Sequence, residues 1–333
     1  MSVQDDDAVI VGAAVGADGR GSSERSSEQV RRSGHPADDQ PRPSGPGGNP
    51  VKTLAQTMAD TTGYLVRTFG SPAGMRGLAV ESAWCAAHLA SYPLGLLGEH
   101  IRVDGSYPSH RTDSLGPVQR SLLVSDMDAT GTPILLVHGL LDNRSVFTVF
   151  RRALRKRGFG VVHAVNYSAF TQDVRTAAAE LHTHVERLRM HTGADRIHIV
   201  GHSLGGLIAR YYVQRLGGDR VVDTVVTLGT PHGGTLAAYL LPTPLARQLT
   251  PGSGLLAELA APAPRCRSRF LVVWSLLDQM IMPQRNARLR HPDLVVDTLR
   301  LPDVGHLSLS IDSRTVDWVA SSLTSLTAQA QAS

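Results

Sequence analysis

The chain has 333 residues, 42% of them hydrophobic, which is enough for one large α/β domain with extensions. The formal net charge is +4, and the basic residues are scattered, so no nucleic-acid partner is expected. The two cysteines, Cys85 and Cys266, permit one disulfide bond but do not imply a disulfide framework. No cysteine and histidine cluster has the spacing of metal ligands.

The first fifty residues are rich in Gly, Ser, Pro, Asp and Arg. They carry too little apolar surface to offset the entropy of ordering the chain, which predicts a disordered tail over residues 1–50. No basic segment precedes an apolar one near the start, so no signal peptide is recognisable. We therefore expect a cytoplasmic or membrane-associated protein.

A helical extension is predicted over residues 51–112. Apolar residues recur at helical spacing over residues 52–69, and a Gly-Ser-Pro break follows them. Pro72 suits the first turn of a helix, so a second helix is predicted from Pro72 to about residue 90.

The apolar stretch 77–97 approaches the length of a membrane span. However, Glu81 and His88 lie inside it, and Pro93 interrupts it. Three alternatives stay open for this stretch: packing on the following domain, a peripheral membrane contact through residues 52–97, and a transmembrane helix.

An α/β domain is predicted over residues 113–330. Short apolar segments alternate there with amphipathic segments of helical period, which favours a mostly parallel, doubly wound sheet flanked by helices. Ligands of such sheets bind beyond the carboxyl ends of the strands. Strands are predicted at 119–124, 133–137, 159–165, 196–200, 221–228, 270–274 and 294–301.

Residues 196–216 read as a strand, the sequence G-H-S-L-G and a helix. This order is what a nucleophile elbow requires, because the tight turn projects the serine hydroxyl from the edge of the sheet. Gly201 and Gly205 leave room where a side chain would strike the neighbouring strand or helix. We therefore predict that Ser203 is a catalytic nucleophile.

The acid and the base of such a site are expected after the nucleophile in the chain. His306 follows all the predicted core strands and is the predicted general base. Asp278 is the first acidic residue after the strand 270–274, and we predict that it orients His306. The rival acids are Asp293, which precedes a strand, Asp297, which lies within one, and Asp303, which falls in a turn.

Two backbone N–H groups are predicted to bind the oxyanion of a tetrahedral intermediate. One belongs to Leu204, directly after the nucleophile, and the other to Leu140, in the loop that follows the strand 133–137. This chemistry requires no metal ion and no organic cofactor.

These motifs together resemble the serine α/β-hydrolases, and among them the compact bacterial lipases and esterases. The resemblance covers about residues 130–325. It implies hydrolysis of carboxylic esters, usually of acyl lipids, so the expected partner is an acyl ester or lipid. The motifs are V-H-G at 137–139, G-H-S-L-G-G at 201–206, T-L-G-T-P-H-G-G at 227–234, D-Q-M-I-M-P at 278–283 and G-H-L at 305–307.

Residues 235–264 separate two predicted strands and contain many apolar side chains, so we predict a lid or acyl-binding wall there. Two other functions stay open: an acyltransferase that uses the same triad, and a hydrolase fold that binds without catalysis. The candidate substrate-binding residues are Leu141, His202, Leu236, Tyr239 and Leu240.

Overall fold

The computed structural model describes residues 50–96, 131–140, 142–167 and 172–331. The predicted tail up to residue 49, the predicted strand 119–124 and the start of the α/β domain near residue 113 lie outside this part of the chain. Leu141 also lies outside it.

The described strands form one six-stranded parallel sheet. The central strands are apolar on both faces, because helices cover both sides of a parallel sheet. This architecture confirms the predicted α/β class. The strands are β1 Ile134–Val137, β2 Val162–Val165, β3 Ile197–His202, β4 Val222–Leu228, β5 Arg269–Ser275 and β6 Val296–Leu301. Their order in the sheet is β2-β1-β3-β4-β5-β6.

Two hydrophobic cores lie on opposite faces of the sheet. Helices α4 Val174–Thr192 and α5 Leu204–Arg215 pack into one core. Helices α3 Thr148–Lys156 and α8 Ser313–Gln331 pack into the other. The sheet is therefore doubly wound, and the carboxyl ends of its strands meet at one edge.

The predicted insertion contains three short helical segments. A 3₁₀ helix, Leu236–Leu240, comes first, and α6 Pro244–Gln248 and α7 Gly254–Ala260 follow it. Apolar side chains of this insertion, such as Leu245 and Leu255, belong to the core that also contains α4 and α5.

Helices α1 Pro50–Phe69 and α2 Pro72–Leu96 precede the sheet. The hydroxyl of Ser71 accepts the N–H of Gly74 and so caps the start of α2. Helix α2 continues past the predicted end near residue 90 and packs closely on the loop after β6, because a Cβ at Gly77 would overlap the carbonyl oxygen of Asp303. Within the described ranges, no helix combines the length and apolar character that crossing a membrane requires.

Candidate active site

Ser203 lies between β3 and α5 in a strained backbone conformation, with φ 53° and ψ −121°. Non-glycine residues rarely adopt a positive φ, and such strain recurs at active sites. The turn is held by a hydrogen bond of 2.8 Å from the N–H of Ser203 to the carbonyl of Leu228. Close packing also requires glycine at position 205, since a Cβ there would overlap the carbonyl oxygen of Val137.

The side chains of His306 and Asp278 form a buried pair. Nδ1 of His306 lies 2.8 Å from Oδ2 of Asp278. The other carboxylate oxygen of Asp278 accepts the N–H groups of Met280 and Ile281, each at 2.9 Å. Because the carboxylate accepts from Nδ1–H, Nε2 of His306 is left free to take up a proton.

The electrostatic surroundings of His306 favour its protonated form. Burial lowers the pKa of His306, but the charge and hydrogen bond of Asp278 raise it, and the charges of Glu81 and Asp142 add to that effect. The net result is a pKa above the ordinary value for histidine. An imidazolium formed during proton transfer is therefore stabilised where it would be needed.

The rival aspartates have other partners. Asp303 accepts a hydrogen bond of 2.8 Å from the guanidinium of Arg314, and Asp297 pairs with Arg269 at 2.7 Å. Asp293 accepts the backbone N–H of Ala263 at 2.7 Å. Asp278 is the aspartate whose carboxylate contacts the imidazole of His306.

The two predicted oxyanion donors lie beside Ser203. Leu204 is the first residue of α5, so its N–H has no acceptor within the helix. Gly139 precedes Leu140 and lies against Ser203, since a Cβ at Gly139 would lie 3.0 Å from the Cβ of Ser203. Both predicted N–H donors are therefore close to the turn that carries Ser203.

The orientation of the Leu140 N–H is set by two side chains. The carbonyl of Gly139 accepts the hydroxyl of Tyr167 at 3.0 Å and Nδ1–H of His138 at 2.9 Å. The rings of His138 and Tyr167 stack on each other, with their centroids 4.3 Å apart. In a trans peptide the C=O and the following N–H point in opposite directions, so anchoring the Gly139 carbonyl also directs the Leu140 N–H. Sequence reasoning missed Tyr167, because nothing local to it indicates this contact.

A cavity of about 390 Å³ opens at Ser203 and His306. Its volume falls in the range of small-molecule sites, about 300–1,000 Å³. The insertion supplies one apolar wall through side chains that include Leu241 and Leu249, and α2 supplies another through Cys85 and Leu89. The arrangement can hold an apolar group next to a serine hydroxyl.

The predicted substrate-binding residues of the insertion lie outside this cavity wall. Leu236, Tyr239 and Leu240 are 37%, 66% and 82% exposed and do not line the cavity. The residues of this segment that line the cavity are Thr235, Ala237, Ala238 and Leu241. The prediction favours the larger apolar side chains of this segment, whereas the side chains that line the cavity include the small ones of Ala237 and Ala238.

His202 lines the cavity and is almost fully buried. Its Nε2 lies 3.1 Å from the carbonyl oxygen of His306, and the two rings are 4.8 Å apart. Burial lowers the pKa of His202 to about 4, so the ring is neutral near neutral pH and donates Nε2–H to that carbonyl. This contact orients the His306 backbone, whereas His202 was predicted to bind substrate.

Helix α2 brings two polar side chains to the site that sequence reasoning did not assign to it. Glu81 is hydrogen-bonded to the loop that carries His306, and Nε2 of His88 lies 2.7 Å from the carboxylate of Asp142. The available signal was their separation of seven positions, which places both on one face of a helix. Among the described residues, no group of three or more His, Cys, Asp or Glu side chains is arranged to hold a metal ion.

Comparison with known proteins finds similarity to hydrolases. Residues 132–246 match a family model described as the α/β hydrolase fold. A stretch of 115 residues is 32% identical to a triacylglycerol lipase of Pseudarthrobacter phenanthrenivorans, covering 32% of this chain and 35% of the relative. A triacylglycerol lipase of Burkholderia plantarii is likewise 32% identical, over 32% of this chain and 31% of that protein.

The chain spans about a third of the length of these curated relatives. Among solved structures, a mature Bacillus licheniformis lipase superposes with a TM-score of 0.50 and 18% identity, over 58% of this chain and 92% of that one. Lipase B of Aspergillus fumigatus gives a TM-score of 0.51 with 15% identity, over 58% of this chain and 52% of that one. These structural matches indicate a common fold.

Proposed function

We propose that this chain, which has an α/β-hydrolase fold and matches that family model over residues 132–246, is a carboxylic ester hydrolase of the lipase and esterase type. One observation carries the proposal. Ser203, on its strained elbow, and His306, hydrogen-bonded to Asp278, line one apolar cavity. The names of the curated relatives, which are triacylglycerol lipases, support the same activity.

The proposed reaction proceeds through an acyl-enzyme. Oγ of Ser203 transfers its proton to Nε2 of His306 and attacks the ester carbonyl. The tetrahedral oxyanion accepts the N–H groups of Leu140 and Leu204, and the imidazolium is stabilised by Asp278.

When the tetrahedral intermediate collapses, the C–O bond to the leaving alcohol breaks, and His306 protonates that alcohol. Water then transfers a proton to His306 and attacks the acyl carbon. The carboxylic acid departs, and the proton returns to Ser203.

The proposed substrate places its acyl chain against the insertion and α2. Leu89, Leu241 and Leu249 offer apolar contacts beside Ser203, and each buried methylene contributes about 0.8 kcal/mol. An acyl lipid or a simple acyl ester satisfies this chemistry. The peripheral membrane contact through residues 52–97 stays a prediction. Helix α1 exposes apolar side chains such as Val66 and Phe69, and α2 exposes Met75.

The test is a panel of glycerol and p-nitrophenyl esters, from acetyl to stearoyl, offered to the wild type and to Ser203→Ala. The proposal expects ester hydrolysis by the wild type and a loss of at least about 10³-fold in the variant. Equal turnover by both proteins would overturn the proposal. Adding a primary alcohol separates hydrolysis from acyl transfer, because a transferase would form the new ester in preference to the free acid.

A further inference from the structure

Glu81 is a buried carboxylate on α2 whose hydrogen-bond partners all lie far along the chain. The residue is 3% exposed. Its Oε1 accepts the side-chain N–H of Gln279 at 2.7 Å and the backbone N–H of Leu307 at 2.8 Å. Its Oε2 accepts the backbone N–H of Ser308, also at 2.8 Å. A carboxylate with three such donors is held in one geometry.

The partners of Glu81 belong to the two loops that carry the proposed base and acid. Leu307 and Ser308 directly follow His306 and open the 3₁₀ helix Leu307–Ser310, whose first N–H groups have no partner within the helix. Gln279 directly follows Asp278. One carboxylate therefore connects the segment of the acid with the segment of the base.

A further contact closes this network around the backbone of His306. The N–H of His306 donates to Oε1 of Gln279 at 3.3 Å, so Gln279 bridges Glu81 and His306. The loop also packs directly on the carboxylate, since a Cβ at Gly305 would overlap the Glu81 side chain. The backbone of His306 is thus fixed on both sides by the same group on α2.

We propose that Glu81 is a positioning residue of the active site, which holds Asp278 and His306 in register from a helix that precedes the α/β domain in the chain. This inference rests on the proposed function. Glu81 also acts through its charge, because it raises the pKa of His306, although less than Asp278 does. Helix α2 therefore contributes a positioning residue to the active site in addition to lining the cavity.

The test compares Glu81→Gln with Glu81→Asp in the full chain, using a short soluble p-nitrophenyl ester. Glutamine has one acceptor oxygen, so at least one of the three hydrogen bonds is lost. We expect kcat to fall by about ten- to a hundredfold with little change in KM, because small displacements of reacting groups have costs of that size. The acid limb of the pH profile should move to lower pH, since the anion that favours the imidazolium is gone.

Aspartate keeps the charge but ends one methylene short. For Glu81→Asp we expect a lower kcat, with the acid limb close to that of the wild type. Ser82→Ala is the matched control on the same helix, because the Ser82 hydroxyl is exposed and bonds within α2 to the carbonyl of Leu78. It should keep the wild-type rate and pH profile.

The outcomes separate this inference from the proposed function. A wild type that hydrolyses no ester overturns the proposed function. An active wild type together with a folded Glu81→Gln of unchanged kcat, or with an unmoved acid limb, overturns the positioning role. If circular dichroism finds Glu81→Gln unfolded, Glu81→Asp decides: a folded variant with lowered kcat supports the role, and an unchanged kcat overturns it.

Discussion

Replacement of Asp278 by asparagine tests the proposed acid with almost no change in volume. Oδ1 of Asp278 accepts two backbone N–H groups, and Oδ2 faces Nδ1 of His306 at 2.8 Å. The asparagine oxygen has to take the first position, because an amide NH₂ cannot accept hydrogen bonds there. The NH₂ group then faces Nδ1 and favours the tautomer with its proton on Nε2, which cannot accept the proton of Ser203.

This change of tautomer has a large expected cost. In a serine hydrolase triad, such a replacement lowers kcat by about 10⁴-fold, which corresponds to about 5 kcal/mol of transition-state stabilisation. The pH profile should change as well. Burial lowers the pKa of His306 and Asp278 raises it, so in Asp278→Asn the burial effect is less opposed. The acid limb of kcat/KM should therefore move to lower pH.

The assay is kcat/KM for a soluble p-nitrophenyl ester across the acid and neutral range, with thermal melting as a check of folding. Asp303→Asn is the matched control: Asp303 is close to His306 in the sequence but pairs with Arg314. Activity of Asp278→Asn within tenfold of the wild type, with an unmoved acid limb, would refute the reasoning. A collapse of activity in Asp303→Asn would do the same.

Three further predictions concern the turn, the sheet and the cavity. Gly205→Ala should lower the free energy of unfolding by about 1–3 kcal/mol in denaturant melts, because the added Cβ would meet the backbone of Val137. An unchanged denaturation midpoint would contradict this close approach. Burial lowers the pKa of His198 to about 4, so this residue stays neutral in the folded state. The contribution of the neutral imidazole to the free energy of unfolding is complete above the unfolded pKa of about 6.5. As pH falls towards about 4, the protein loses up to about 3 kcal/mol of that free energy. His198→Val should flatten that slope, and an equally steep loss in the variant would contradict the assignment. Ala238→Trp should abolish turnover of long acyl esters while turnover of acetyl esters persists. Leu240→Trp, at an exposed position, should change neither activity. Equal effects of the two substitutions would contradict the assigned cavity wall.

The sheet and the positions of Ser203, Asp278 and His306 could be predicted because their signals are local or topological. Apolar strands, amphipathic helices and glycines beside Ser203 are visible within short windows of the sequence. Parallel strands then bring their carboxyl ends to one edge, so residues that follow different strands meet there. The separation of these three residues along the chain therefore does not prevent their prediction.

The contribution of α2 could not be predicted in the same way. The partner of Glu81 at Leu307 is 226 positions away, and no period in the sequence connects the two. In the sequence, Glu81 and His88 are recognisable only as polar residues inside an apolar stretch. Their roles depend on partners that the fold supplies. Glu81 accepts two backbone N–H groups and the side-chain amide of Gln279, and His88 lies against the carboxylate of Asp142.

The insertion illustrates a limit of a different kind. Its apolar composition predicted a wall beside the site, and the cavity does have one. The side chains that form it depend on the conformation of this short segment, which its apolar composition does not determine. Large apolar residues such as Leu240 were therefore favoured over Ala238.

The central claim is that Ser203 is a nucleophile activated by His306. The most direct measurement is the reaction of the protein with a fluorophosphonate, followed by mass spectrometry of its peptides. The account predicts one covalent adduct on Ser203, none in Ser203→Ala, and labelling slowed by orders of magnitude in His306→Ala. No adduct on the folded wild type, or an adduct on another residue at the same rate, would contradict it.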